Sequence, residues 1–202
     1  MTIKYILVLI AEYLIGCLNG ALLYSYVFRH QDIRQYGSGN AGSTNVLRVY
    51  GVVPALCVFA FDALKGVLGM MLCYRVCGRG DLIVTLCALA IVCGHNWPIF
   101  TNYKGGKGIA TTFGIALTMN PWIAVPAFTM AMLILAITRI MALGTVTAVL
   151  AGAVAVWVIP NQPLYARITI PLLFLMTAWQ HRGNIARILK GEENKFEFGK
   201  KE

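Results

Sequence analysis

Ile109-Ala110-Thr111-Thr112-Phe113-Gly114-Ile115-Ala116-Leu117-Thr118-Met119, followed by Asn120-Pro121 and then by Trp122-Ile123-Ala124-Val125-Pro126, is the stretch whose reading decides the helix count of this chain. The first run is apolar but short, since a helix needs about 20 residues to cross a bilayer. It stands either as a short span of its own or as the first part of one kinked helix that continues across Asn120-Pro121 to Thr138. Working outward, the remaining apolar blocks run from about Ile3 to Phe28, Val52 to Tyr74, Leu82 to Phe100, Leu143 to Ile159 and Leu164 to Trp179. None alternates with the period of an amphipathic surface helix, so they read as transmembrane segments.

Composition agrees. The 202 residues are 58% hydrophobic and 12% charged. A soluble domain carries about 25% charged residues. The length predicts one domain, 1–202, made of a single helical bundle.

Charge chooses between six spans and seven. With seven and the N-terminus outside, Arg29, Arg34, Arg48, Lys104, Lys107, Arg139, Arg182, Arg187, Lys190, Lys195, Lys200 and Lys201 fall on the inside face. Lys4, Arg75, Arg79 and Arg167 fall outside, and Lys65 lies within a span. Six spans would move Arg139 and the basic tail outside. Positive residues concentrate on cytoplasmic loops, so the expectation is an all-α bundle of seven transmembrane helices, N-terminus outside and C-terminus cytoplasmic. Leu14-Ile15-Gly16-Cys17 imitates a lipoprotein processing site, but Glu12 interrupts the apolar core of such a signal and the apolar run continues to Phe28. A single retained first helix is expected.

The net charge of +9 sets orientation, and it also suits an anionic substrate. Readers of base edges and RNA-stacking motifs are absent, so no nucleic acid is expected. The six cysteines lie in or beside apolar segments without C-x-x-C spacing, which predicts packing and no metal site.

The seven-span layout puts three polar segments on one face. The first runs Gly37-Ser38-Gly39-Asn40-Ala41-Gly42-Ser43-Thr44-Asn45-Val46-Leu47-Arg48. Its glycines let backbone N–H groups approach an anion, a following helix N-terminus adds orphan donors, and Arg48 offers a fork to phosphate oxygens. Gly37, Gly39 and Gly42 satisfy G-x-G-x-x-G, yet a membrane span precedes them where a dinucleotide fold needs a strand. A flexible linker is the bland alternative.

The second segment runs Gly94-His95-Asn96-Trp97-Pro98-Ile99-Phe100-Thr101-Asn102-Tyr103-Lys104-Gly105-Gly106-Lys107-Gly108. Two lysines flank a glycine pair, again the composition of an anion site, without the Ser/Thr that a Walker A loop requires. His95 is either a structural histidine or a group that moves a proton near neutral pH. Trp97, Phe100 and Tyr103 read as an interfacial belt. The third segment, His181-Arg182-Gly183-Asn184-Ile185-Ala186-Arg187-Ile188-Leu189-Lys190-Gly191-Glu192-Glu193, taken alone reads as a basic helix held to anionic headgroups. Within the second block Asp62 and Lys65 lie three apart on one face and are expected to pair or to face the interior. Glu12 is equally costly to bury and suggests no role.

These three segments resemble, in order and spacing, the three cytoplasmic motifs of bacterial acyl-phosphate:glycerol-3-phosphate acyltransferases of the PlsY type. The resemblance spans nearly the whole chain, and the first two motifs together are highly specific. It implies transfer of a fatty acyl group from acyl phosphate to the 1-hydroxyl of sn-glycerol 3-phosphate, giving lysophosphatidate and phosphate in phospholipid biosynthesis. It implies a multi-pass enzyme of the bacterial cytoplasmic (inner) membrane, with its active site facing the cytoplasm, membrane lipid around it and no cofactor. Oligomeric state stays open. By motif position, His95, Ser38 and Asn184 fall on catalytic positions. Gly37, Gly39, Asn40, Gly42, Asn45, Arg48, Lys104, Gly105, Gly106 and Lys107 fall on phosphate-binding ones. The chain departs from the pattern at Ser43, where alanine is usual, at Ala142, where serine is frequent, and at Cys17-Leu18-Asn19, where Ser-x-Pro is frequent.

The H-x-x-x-x-D signature of acyl-CoA-type enzymes is missing, as is a G-x-S-x-G nucleophile elbow. The acyl phosphate that the resemblance implies already carries a good leaving group, so direct transfer without an acyl-enzyme is expected, with either His95 or the donor's phosphate accepting the proton. A rival expectation, motivated by Glu12, Asp62 and Lys65 inside spans, is a small transporter of a phosphorylated metabolite.

Overall fold

The computed structural model describes residues 3–196. Of the basic tail counted above, Lys200 and Lys201 lie outside the described residues. Among the described residues there are ten α-helices, two short 3-10 turns and no strand. The chain divides into two compact units, Met1–Thr118 and Met119–Glu202.

The first unit holds α1 (Ile3–Cys17), α2 (Gly20–Arg29), α3 (Ser43–Tyr50), α4 (Val52–Cys77), α5 (Asp81–Asn96) and α6 (Ile109–Met119). Helices α1, α4 and α5 pack against one another. Gly16 and Gly94 meet where α1 crosses α5. A Cβ built on Gly16 would strike the Ile91 carbonyl oxygen, and one on Gly94 would strike that of Tyr13. Gly66 of α4 likewise faces the Thr111 carbonyl of α6, and Gly114 of α6 faces that of Ala63. In lipid, where apolar burial gives no drive to association, small residues let backbones close to this range and dispersion holds them together. Leu56, Leu64 and Leu68 of α4 are exposed, whereas Asp62 and Lys65 are buried. That inverts the soluble pattern and fits a helix set in hydrocarbon.

The first apolar block is not one helix. It breaks between Cys17 and Gly20, and α1 and α2 meet at a bend of 46°. The carbonyls of Gly16 and Leu18, released by the break, accept from the Lys65 ammonium at 3.1 and 2.6 Å. Asn19 then caps α2, its side chain accepting from Leu22 N at 3.0 Å. Both features satisfy backbone groups that a bilayer cannot.

The second unit holds α7 (Pro121–Thr138), α8 (Met141–Val158), α9 (Leu164–Gln180) and α10 (Arg182–Leu189). Asn120 caps α7 by accepting from Trp122 N at 2.9 Å, and Pro121 follows where its missing N–H costs nothing. The stretch that opened the sequence reading is therefore cut at Asn120 into separate helices. At eleven residues α6 is about 16 Å long, roughly half the hydrocarbon thickness. Among the described residues four helices are long and apolar enough to cross a membrane, and five crossings result if the bent α1–α2 pair counts as one.

Candidate functional site

The first glycine-rich segment is an ordered structure, not a linker. Asp32 caps the 3-10 turn Ile33–Gln35, and Gly37 and Gly39 then take left-handed conformations with φ of 57° and 71°. The chain folds back so that Asn45, in the first turns of α3, reaches under the loop. Its Oδ1 accepts from Ser38 N at 2.8 Å, while its Nδ2 donates to the carbonyls of Ile33 at 3.2 Å and Tyr36 at 3.0 Å. The Asn45 side chain is buried and its amide is given to the loop itself. Gly37 has no room for a Cβ, which would strike Asn45 Oδ1. This clamp leaves Ser38 exposed at the tip, with Asn40 half-buried beside it. Gly42 is the N-cap of α3, so the helix opens toward this loop, and Arg48 lies in its last turn.

The second segment starts as α5 ends. Tyr13 on α1 donates to the Trp97 carbonyl at 2.8 Å and anchors the exit. Asn102 and Tyr103 are successive left-handed residues, with φ of 54° and 59°. Non-glycine residues in that region cost about 1–3 kcal/mol each and persist where their surroundings enforce them. The chain then returns along the end of α5. Gly105 N donates to Asn96 O at 3.2 Å and Gly106 N to His95 O at 3.1 Å. Lys104 is exposed, Lys107 half-buried and Gly106 buried.

Arg34 holds the two segments together. Its guanidinium grips Asp32 by several bonds, the shortest 2.7 Å, and donates Nη1 to the carbonyls of Thr101 at 3.1 Å and Lys104 at 3.2 Å. The Arg34 hydrogen bonds beside it hold the Asp32 carboxyl at a pKa of about 2, and Arg34 is raised in turn by Asp32. Asn19 makes a second tie, donating Nδ2 to Ala41 O at 3.0 Å. Between the segments opens a cleft of about 460 Å³ lined by Arg34, Gly39, Thr101, Asn102, Lys104 and Gly105. It is walled by cations, glycines and backbone amides, the chemistry of a phosphate site.

Behind this cleft lies a buried polar cluster. Lys65 Nζ is 2.8 Å from Asp62 Oδ1 and 2.8 Å from His95 Nδ1, and Asp62 Oδ1 also accepts from Gly20 N at 3.2 Å. The pairing expected of Asp62 and Lys65 is present, and it removes two of the three intramembrane charges that had suggested a translocation path. Glu12, fully buried against Gly69 and Ile91, stands apart from this cluster.

Asn184 lies in the second unit, on α10. It donates Nδ2 to Glu193 Oε1 at 2.6 Å, and Glu193 Oε2 accepts from Arg187 Nε at 2.8 Å. In the first unit the structure therefore brings the two segments together where Gly39 shares a cleft with Lys104 and Gly105, and where Ala41 O approaches Gly106 and His95; among the described residues no such contact is shown for Arg48. Sequence reading treated Arg34 as a topology charge, met Asn19 only within a departure from the family pattern and gave Asn96 no role. Asn96 is buried with an amide that makes no hydrogen bond, next to Gly108. Its only signal was its place directly after His95. Among the described residues no three His, Cys, Asp or Glu side chains group as metal ligands.

Comparison with known proteins bears on this site. The family model described as Glycerol-3-phosphate acyltransferase matches residues 6–191. A glycerol-3-phosphate acyltransferase of Thermoanaerobacter sp. (strain X514) is 40% identical over 194 residues, covering 94% of either chain. One from Halalkalibacterium halodurans is 39% identical over 196 residues, again 94% of either chain. Among solved structures, PlsY, an integral membrane glycerol 3-phosphate acyltransferase, in its glycerol 3-phosphate form superposes with a TM-score of 0.89 at 30% identity, covering 96% of both chains. The lysophosphatidic acid form of that enzyme gives 0.86 at 29% identity.

Proposed function

Because the chain belongs to the glycerol-3-phosphate acyltransferase family, we propose that it uses acyl phosphate as donor and transfers the acyl group directly to the 1-hydroxyl of sn-glycerol 3-phosphate. The products are lysophosphatidate and inorganic phosphate, for phospholipid synthesis. The observation that carries this reading is the cleft between the two glycine-rich segments, because both substrates are phosphorylated and both need cations and amide donors.

The donor is a mixed anhydride whose phosphate already leaves well. The acceptor oxygen attacks the acyl carbon, the new ester C–O bond forms, and the bond from that carbon to the phosphate oxygen breaks. The hydroxyl proton passes either to His95 or to the departing phosphate. What remains for the protein is to hold two anions side by side and neutralise their repulsion. Lys104, Lys107 and Arg48 supply charge. Gly37, Gly39, Asn40, Gly42, Gly105 and Gly106 supply backbone that an oxygen can approach. Ser38 offers a hydroxyl at the loop tip, and Asn45 keeps that tip in shape. The role of Asn184 rests on motif position alone.

The whole chain acts as one membrane-embedded domain. Seven crossings, counting α6 and α9 with the five longer ones, put the N-terminus outside and the three motifs on the cytoplasmic side of the inner membrane. The apolar exterior keeps the acyl chain of donor and product in the lipid phase.

The test is a detergent-solubilised assay with acyl phosphate and glycerol 3-phosphate. Lysophosphatidate should form without a sealed vesicle and without any thioester donor. A requirement for acyl-CoA or acyl carrier protein would overturn the choice of donor. A trapped acyl-enzyme would overturn direct transfer, and full activity of a Ser38→Ala, His95→Ala double variant would overturn the roles given to those two residues.

A further inference from the structure

The ammonium of Lys65 sits among four acceptors that belong to three different parts of the first unit. Gly16 O and Leu18 O lie at the break between α1 and α2, Asp62 Oδ1 on α4, and His95 Nδ1 on α5. An ammonium has three hydrogens and no lone pair, so Lys65 donates to Gly16 O, Leu18 O and His95 Nδ1 and holds Asp62 Oδ1 as an ion pair at 2.8 Å. His95 Nδ1 at 2.8 Å is therefore the nitrogen that accepts, and in the neutral ring the proton resides on Nε2. Asp62 Oδ1, 3.6 Å from Nδ1, lies on the same side of the ring, and Lys65 Nζ completes a triangle with the two atoms.

The opposite edge of the ring faces the two motifs. A Cβ built on Gly106 would strike His95 Nε2 and lie 2.7 Å from Ala41 O. Gly106 belongs to the second glycine-rich segment and Ala41 to the first, so Nε2 points at the seam where they approach. His95 itself is buried, at 3% exposure.

We propose that Asp62 and Lys65 are positioning residues for the transfer: they hold His95 with Nδ1 as acceptor, so that Nε2–H is a hydrogen-bond donor aimed at substrate phosphate in the seam. This rests on the function proposed above and narrows it. A ring whose lone pair is taken up by Lys65 is a donor toward the seam and not a base. The same lysine pins the α1–α2 break, so the geometry that bends the first span also sets the histidine.

Two measurements test this. The tautomer is read by 15N NMR of protein labelled at histidine, solubilised in detergent, with the His95 signals assigned by their loss in His95→Gln. The expected signature is a neutral ring protonated at Nε2. A ring protonated at Nδ1 overturns the proposal, and this reading needs neither a substrate nor a Lys65 variant that folds. The second measurement compares His95→Gln, whose amide nitrogen stands near the Nε2 position, with His95→Asn, whose amide stands near Nδ1. Gln should retain kcat/KM within about tenfold, whereas Asn and Ala should each lose at least about a hundredfold. Equal loss in all three, in proteins that keep wild-type thermal stability, overturns the donor role. If wild-type protein makes no product from acyl phosphate, the proposed donor has failed, and the tautomer measurement still decides the role of Asp62 and Lys65.

Discussion

Replacing Asn45 by alanine removes three hydrogen bonds at once: from Ser38 N, to Ile33 O and to Tyr36 O. The side chain is 1% exposed, so water does not take its place easily. At about 1 kcal/mol net per bond the clamp amounts to about 3 kcal/mol. Those bonds hold the turn that presents Ser38 and the flanking amides. If the freed loop must be reordered by substrate, the same 3 kcal/mol is withdrawn from transition-state stabilisation. At about 1.4 kcal/mol per decade, kcat/KM should fall by roughly two orders of magnitude. Helix packing away from the loop should survive, because α1, α4 and α5 do not depend on Asn45. The assay is steady-state turnover of acyl phosphate and glycerol 3-phosphate in detergent, alongside thermal unfolding of the same samples. Asn45→Asp is the sharper companion. It keeps an acceptor for Ser38 N but turns the two donated bonds into repulsion with carbonyl oxygens, and it should be at least as damaging. If Asn45→Ala is folded and turns over with wild-type kcat/KM, the loop does not need its clamp and this reasoning fails.

Other consequences follow from the same geometry. Gly106→Ala places a methyl against His95 Nε2 and Ala41 O, and should lower kcat/KM by more than about a hundredfold in protein that still extracts and folds, checked by activity and size-exclusion profile. Arg34→Ala cuts the charged ties to Thr101 O and Lys104 O. It should raise the KM for glycerol 3-phosphate by roughly tenfold or more while Arg34→Lys, lacking the fork, recovers little, since bonds to a charged group contribute about 1.5–3 kcal/mol when well shielded. Asp32 has a folded pKa of about 2 against an ordinary 3.8. Its contribution to stability is therefore present above about pH 4 and is lost as the pH falls from there through about 2. Asp32→Asn should flatten that part of the unfolding-midpoint profile, and an unchanged profile would remove Asp32 from the account.

The membrane class, the apolar blocks and the two glycine-rich segments were legible because hydropathy and turn residues are local properties. Asn120-Pro121 marked a helix boundary for the same reason. The break at Leu18-Asn19 was missed. The turn pair Asn19-Gly20 sits there, but it is embedded in a long apolar run, and the carbonyls the break frees are taken up by Lys65, 47 residues from Leu18. Asp62 and Lys65 could be paired from their spacing on one helix face, but their reach to His95 is tertiary. Arg34 shows how composition misleads in the other direction. Counted as one more positive residue on an inside loop, it turns out to spend its charge joining two loops. Asn45 was read as a substrate contact, and the structure gives its amide to the loop's own backbone, a use that motif spacing does not reveal.

The crossing of Gly16 and Gly94 has a dynamic consequence. Where two backbones touch with no side chains between them, there are no rotamers to exchange and no ridge to slide over the next groove. Such a contact is a poor shear plane. His95 follows Gly94 directly, so it travels with a joint that has only one way to fit.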